Sequence, residues 1–194
     1  MTFYYRRALL AACALLAVTG VWPATVRTQT TGNAEHFTAS VLDVNTGRTG
    51  RIDISVKRWS TASERAALLQ TLHEDGSDAL LEAVRETRAV GRIYTPGSIG
   101  YELRYAHERP LPDGGREIVF ATDRPMSFRE LTSQPRSFDY PFTWVQVQMR
   151  PDGTGEGKIA VAARITGGEA DQGIEIEDFA LQPVRLRTVE SRKP

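Results

Sequence analysis

The sequence predicts a mainly β protein, an antiparallel β-barrel or β-sandwich of about nine strands with an α-helical hairpin inserted between strands 2 and 3. Short segments with alternating apolar and polar residues recur at hairpin spacing, and turn residues separate them. Only the stretch 61–88 has helical periodicity instead. Because short turns join antiparallel neighbours, whereas parallel strands need long crossovers, we expect a sandwich or a barrel rather than a parallel sheet.

The start of the 194-residue chain has the form of a secretory signal peptide, over residues 1–24. Arg6 and Arg7 precede an apolar run of 14 residues, from Ala8 to Val21. That run is shorter than the roughly 20 residues that span a bilayer. We therefore expect an exported protein, periplasmic or extracellular, with no stable transmembrane anchor. The position of cleavage stays open.

The single cysteine, Cys13, lies inside this apolar run. Residues 10–13 resemble a lipoprotein signal, but the apolar run continues beyond Cys13, which argues against lipid attachment there. A chain cleaved after residue 24 has no cysteine, so it has no disulfide even though export would permit one.

Without Arg6 and Arg7 the cleaved chain carries 22 basic and 24 acidic residues. A protein without a basic excess is not expected to bind nucleic acid.

The rest of the chain divides into a flexible lead, 25–35, and a single β-rich domain, 36–190. The second strand shows the strand pattern well, because apolar and polar residues alternate from Ile52 to Lys57. Such alternation is typical of an antiparallel strand with one buried face. The nine predicted strands are 36–44, 51–59, 90–95, 99–107, 116–122, 142–149, 158–165, 174–179 and 184–189.

Two helices are predicted between the second and third strands. Thr61 and Glu64 have the spacing of a capping box at the start of the first helix. Gly76 is placed to end that helix, and Ser77 can cap a second one. Helices of about three turns need a packing partner. The hairpin is therefore either a plug over apolar sheet or a lid over a ligand cavity.

A nearly closed antiparallel barrel can enclose one small apolar ligand. The residues that alternate along the fourth strand, from Tyr101 to His107, would share one face of it. We expect that face to line the barrel interior, together with aromatic residues of the fifth and sixth strands. The candidate ligand-binding residues are Tyr101, Leu103, Tyr105, His107, Phe120 and Trp144.

A long connection, 123–140, interrupts the hairpin rhythm of the strands. Connections longer than about 12 to 15 residues are uncommon in compact domains and often functional. This one is either a crossover loop held by its aromatic side chains or one wall of a binding site. As a wall it would form the mouth of the barrel, with the candidate residues Arg124, Phe128, Arg129, Arg136 and Tyr140.

Several turns and strand ends have distinctive short sequences. They are WS at 59–60, TPGSIG at 95–100, PDGGR at 112–116, ATDRP at 121–125, DYPFT at 139–143 and GEGK at 155–158. Together they resemble those of a family of exported bacterial proteins with no assigned function. The resemblance spans roughly residues 37 to 189, and it implies export and a shared fold but no activity.

No sequence motif predicts a metal site or a cofactor. The three histidines form no His-x-His or His-Glu-x-x-His pattern, and no Cys-x-x-Cys pattern exists. Nor does any serine stand in a nucleophile-elbow motif. We therefore expect no catalytic residues, no metal and no cofactor.

Three functions remain open. The first is a non-enzymatic binding module that encloses a small apolar ligand. The second is a structural or protein-interaction domain of the cell envelope, with a filled core. The third is a hydrolase or isomerase that uses His107 and a nearby carboxylate.

Overall fold

The computed structural model describes residues 34–44, 47–126, 139–168, 173–179 and 182–193. The predicted signal peptide with Cys13 and nearly all of the predicted lead lie outside the described residues. So do three of the candidate mouth residues, Phe128, Arg129 and Arg136.

Ten strands and one helix make up the described chain. The strands are β1 (Glu35–Asp43), β2 (Arg48–Val56), β3 (Gly91–Tyr94), β4 (Tyr101–Leu103), β5 (Tyr105–Pro110), β6 (Arg116–Ala121), β7 (Phe142–Met149), β8 (Thr154–Gly167), β9 (Ile174–Asp178) and β10 (Val184–Arg192). The helix is α1 (Ala62–Glu86), between β2 and β3. The first strand thus begins at Glu35, the last residue of the predicted lead.

All strand pairs are antiparallel, in the order β4-β3-β2-β1-β10-β8-β7-β6-β5, with β9 paired to β8 outside this path. The two strands at the ends of this order, β4 and β5, are separated in sequence by Arg104 alone. The sheet therefore curls into a nearly closed antiparallel barrel. Its mainly β character and its strand count confirm the fold class predicted from the sequence.

Arg104 is the corner at which one predicted strand becomes two. Leu103 accepts a hydrogen bond from the Val90 amide at 2.8 Å, on the β3 side. The Arg104 amide instead donates to the Ala121 carbonyl at 2.9 Å, at the end of β6. The chain therefore changes sheet neighbours at this residue, and the inward face shifts from Leu103 to Ala106, which is fully buried.

The barrel interior is one apolar cluster contributed by every strand of the ring. Each strand supplies alternate side chains to it, as barrel geometry requires. Its largest fully buried members are Phe37, Phe120, Ile52, Ile54, Ile93, Leu103, Ile118, Met126, Ile159 and Leu186. Within the described residues, large side chains thus fill the interior.

The single helix α1 lies outside the barrel. Its start is the predicted capping box: Thr61 accepts from the Glu64 amide at 3.2 Å, and Glu64 accepts from the Thr61 amide at 2.7 Å. Two separate helices in a hairpin are not confirmed. The helix instead continues through Gly76, whose non-helical backbone (φ 88°, ψ −171°) marks a kink. Among the described residues, no helix is long and apolar enough to cross a membrane.

Candidate functional site

A groove runs between α1 and the outer face of the barrel. It has a volume of about 450 Å³, within the range of about 300 to 1,000 Å³ that is usual for ligand pockets. Its floor consists of the outward side chains of β5, β6 and β7, and β8 and β9 close one side. Side chains of α1 from both sides of Gly76, between Arg65 and Val84, form its roof.

One half of the groove is apolar. Phe142 and Ile165 are buried there against the helix, and Trp144 packs on the same cluster. From the roof, Leu72 and Val84 join this cluster. The helix covers these outward residues of β7 and β8, and they are apolar. The outer face here therefore differs from the polar, solvent-exposed face that is usual for an antiparallel sheet.

The other half of the groove is polar. The side chains of Tyr105 and His107 lie half-buried on β5, with ring centroids 6.2 Å apart. Arg65 lines the roof beside them, close enough to the Tyr105 phenol for its charge to act on the pKa of that group. Glu117 on β6 accepts hydrogen bonds from Arg109 and, at 2.5 Å, from the Gln146 amide nitrogen.

These contacts shift three ionisation equilibria. The hydrogen bond from Arg109 lowers the pKa of Glu117 against the opposing effect of burial, so this carboxylate stays ionised. Burial lowers the pKa of His107, and Arg65 lowers it further, so the imidazole is neutral at pH 7. Burial raises the pKa of the Tyr105 phenol. The polar half therefore holds arginine cations, one paired carboxylate and two neutral rings.

The described residues do not supply His107 with a carboxylate partner. The one histidine within 4.0 Å of a carboxylate oxygen, in the part of the chain described, is His36, whose Nε2 lies 3.5 Å from Asp53 Oδ1. That pair lies on β1 and β2, away from the groove. The described residues also contain no group of three or more metal-ligating side chains. Among the described residues, no carboxylate oxygen therefore lies within ion-pair distance of His107.

The six candidate ligand-binding residues separate onto two faces of the barrel. Tyr101, Leu103 and Phe120 lie in the interior, where they belong to the packed core. Tyr105 and His107 were expected on that face too, but the change of neighbours at Arg104 turns them outward into the groove. Trp144 also faces outward, because Val145 and Val147 are the inward residues of β7.

The two described mouth residues lie outside the groove lining. The Arg124 guanidinium lies over the Tyr101 ring, 5.3 Å from its centroid. The Tyr140 hydroxyl donates to Glu177 at 2.6 Å, and its ring packs edge-on against Phe179 at 5.4 Å. Both contacts fix the ends of the 123–140 connection to neighbouring strands.

Several groove residues were not among the sequence candidates. Val119 forms the middle of the floor, and Arg65 and Leu68 form part of the roof. One signal was available: Arg65, Leu68 and Leu72 recur at helical spacing and so share one face of α1. That face packs on the outside of the sheet, however, and only the tertiary structure shows it.

Comparison with known proteins gave no match to a family model, and it found no similar curated protein and no similar solved structure. Function is therefore inferred from the groove itself.

Proposed function

We propose that this protein is a non-enzymatic binding module that takes a small, largely apolar ligand in the groove between α1 and the barrel. The observation that carries the proposal is the cavity of about 450 Å³ between apolar side chains of the helix and the sheet. Apolar walls that face open space lose the dispersion contacts that a packed core gains. A ligand would restore those contacts and remove apolar surface from water.

The proposal includes export to the periplasm or the exterior, because residues 1–24 have the pattern of a signal peptide. It also includes membership of the uncharacterised exported family that the turns resemble. A ligand carrier of the cell envelope would need both the leader and a groove open to its surroundings.

The proposal also treats α1 as a two-armed cover that folds back at Gly76. Ser60, just before the helix, donates its amide to Ala106 at 2.8 Å. Thr87, just after the helix, accepts from Arg104 at 2.9 Å. Both ends are thus tethered to the same corner of the barrel, whereas a straight helix of 25 residues would separate its ends by roughly 37 Å.

A groove-filling substitution tests the proposal. The neutral fluorescent probe N-phenyl-1-naphthylamine is titrated against the full-length chain, its Val119→Trp variant and its Gln148→Trp variant. Val119 forms the floor of the groove, whereas Gln148 is an exposed residue of the neighbouring strand outside the lining. We expect the indole at position 119 to occupy the cavity and abolish probe fluorescence, with no change at 148.

Either of two results would overturn the proposal: no probe binding by the unaltered protein, or equal loss of binding in both variants. Circular dichroism and urea unfolding of each variant show whether the added indole has disturbed the fold. Native mass spectrometry of protein purified without detergent from its own host adds an independent measurement, since a bound ligand appears as a stoichiometric adduct.

One observation favours a second function, a structural or protein-interaction domain of the cell envelope. The barrel interior is filled by its own side chains, as that hypothesis requires. A bare mass in the native spectrum together with absent probe binding would favour this second function.

A further inference from the structure

The floor of the groove changes from polar to apolar along the strands. Residues paired across β5, β6 and β7 form rows, and every second row faces outward. The outward rows read, in order, Arg109 and Glu117, with Gln148 beyond the groove lining; then His107, Val119 and Gln146; then Tyr105, Ala121 and Trp144. Beyond them Phe142 pairs with Ala163. A ligand lying along the groove would thus meet charged groups at one end and an apolar wall at the other.

The roof shows a similar division. The Arg65 charge acts on both Tyr105 and His107, so the guanidinium lies near β5, over the second and third rows. One and two turns further along α1, Leu68 and Leu72 pack in the cluster that contains Phe142 and Trp144 of β7. The polar side of the groove therefore lies toward β5 and its apolar side toward β7 and β8, so the groove is amphipathic.

The charge at the polar end is positive. Glu117 is the carboxylate in the groove lining, and Arg109 and Gln146 already occupy its oxygens. Glu108, the other carboxylate near His107, bonds to Arg116. Arg65 has no carboxylate oxygen within 4.0 Å among the described residues, and it lines the groove beside the neutral Tyr105 phenol. Lys158, next to Gln146 in the sheet, adds a further cation on the same side.

We propose that the groove binds a long-chain carboxylate, with its head group at Arg65 and Tyr105 and its chain over Trp144 and Phe142. This inference rests on the proposed function and adds the class of ligand. The guanidinium and the phenolic hydroxyl supply donors to a carboxylate, and a charge-assisted bond of this kind is stronger than a neutral one. The chain removes the apolar half of the groove from water.

Three ligands with the same chain and different heads test the inference: dodecanoate, dodecanol and dodecyltrimethylammonium. Each displaces N-phenyl-1-naphthylamine from the full-length protein, below the concentration at which micelles form. We expect dodecanoate to displace the probe at a concentration about twofold to fivefold lower than dodecanol, because the head-group cation is exposed to solvent. The cationic amphiphile should be the weakest of the three.

Arg65→Gln then identifies the head-group site, with Arg187→Gln as the matched control on an exposed site of β10 outside the groove. Arg65→Gln should remove the preference for dodecanoate and leave dodecanol unchanged, whereas Arg187→Gln should alter neither. Equal displacement by dodecanoate and dodecanol, or an Arg65→Gln effect on both, would overturn the head-group inference and leave apolar binding standing. Failure of all three ligands to displace the probe would overturn it as well, and absence of probe binding would remove the proposed function with it.

Discussion

The two faces of the same strands serve different purposes in this molecule. On β6, Ile118 and Phe120 point inward and are fully buried in the barrel core. The alternate residues, Val119 and Ala121, point outward beneath α1, and Val119 is only half-buried. The interior is thus filled by side chains, and space remains on the outside. In this barrel the helix, not the closure of the sheet, creates the cavity.

The helix itself shows the same contrast along its length. Leu72, Leu80 and Val84 are buried against the sheet and seal the apolar end. Leu68 and Leu69, one turn earlier, stay half-buried over open space. A helix sealed along its whole length would leave no groove, so the proposed ligand cover requires this open first half.

The largest effect on stability is expected for a substitution in the barrel interior, and it contrasts with a substitution in the groove. Phe120→Ala should destabilise the protein by about 3 to 5 kcal/mol, because it leaves a cavity in the packed core. Tyr105→Ala should cost only about 1 to 2 kcal/mol, since the ring is half-buried at the groove. Probe affinity should show the reverse order. Urea unfolding and probe titration of both variants measure the two quantities.

The contrast between interior and groove is contradicted if Tyr105→Ala lowers the free energy of unfolding and the free energy of probe binding by the same amount. Such a result would mean that Tyr105 packs as a core residue and that the outer face is an extension of the interior. Binding must be measured per folded molecule, because the expected destabilisation would leave part of the Phe120→Ala variant unfolded.

A smaller effect is expected at the kink of α1. Gly76 has a backbone conformation that is essentially restricted to glycine, and a Cβ there would meet no atom within 4 Å. Gly76→Ala should therefore cost about 1 to 3 kcal/mol through backbone strain alone. Relief of that strain would straighten the helix, so probe affinity should fall while the barrel stays folded. Near-ultraviolet circular dichroism and probe titration check this.

Ala66→Gly is the matched control for the kink. Ala66 is exposed on the first half of α1, and glycine there costs about 1 kcal/mol through helix propensity. It weakens the helix without altering the geometry at residue 76. If both variants lower probe affinity to the same extent, the groove depends on helix stability in general and not on the kink.

The sequence was sufficient to predict the alternation of residues along the strands and the start of the helix, because both are local patterns. The capping box at Thr61 and Glu64 formed as predicted. The orientation of Tyr105 and His107 was not predictable in this way. The alternation from Tyr101 continues unbroken through Arg104 in the sequence, but Arg104 bonds to Thr87 and Asp123, residues 17 and 19 positions away. Because of those long-range contacts, Tyr105 and His107 point outward instead of into the barrel. The alternation of residues along the strand does not reveal such contacts.

The two predicted helices illustrate the same limit. Gly76 correctly marked where the backbone leaves helical geometry, since its φ is positive. The position of the helix on the outside of the barrel depends on β7 and β8, more than 50 residues further along the chain. Trp144, one of their apolar outward residues, was attributed to the interior because apolar residues are usually inside.

The smallest expected effect lies at the polar end of the groove. The bond from Arg109 holds the pKa of Glu117 below its usual value. A carboxylate with a lowered pKa in the folded state stabilises the protein above its unfolded pKa, about 4.3, and loses that contribution as the pH falls through the folded value. Stability should therefore decline below about pH 5, and Arg109→Gln should flatten this decline. Because the Arg109 side chain is 62% exposed, the cost of the substitution at pH 7 should stay below about 1 kcal/mol.

Urea midpoints at pH 7 and pH 3 measure the difference, with Arg187→Gln as the control. A decline that Arg109→Gln leaves unchanged would assign the acid sensitivity to another carboxylate, such as Asp53, which Arg51 and Thr38 bind on β1 and β2. A flattened decline would instead show that Arg109 and Glu117 form a pair in solution. Arg65 would then carry the charge at the polar end of the groove that is still open to a ligand.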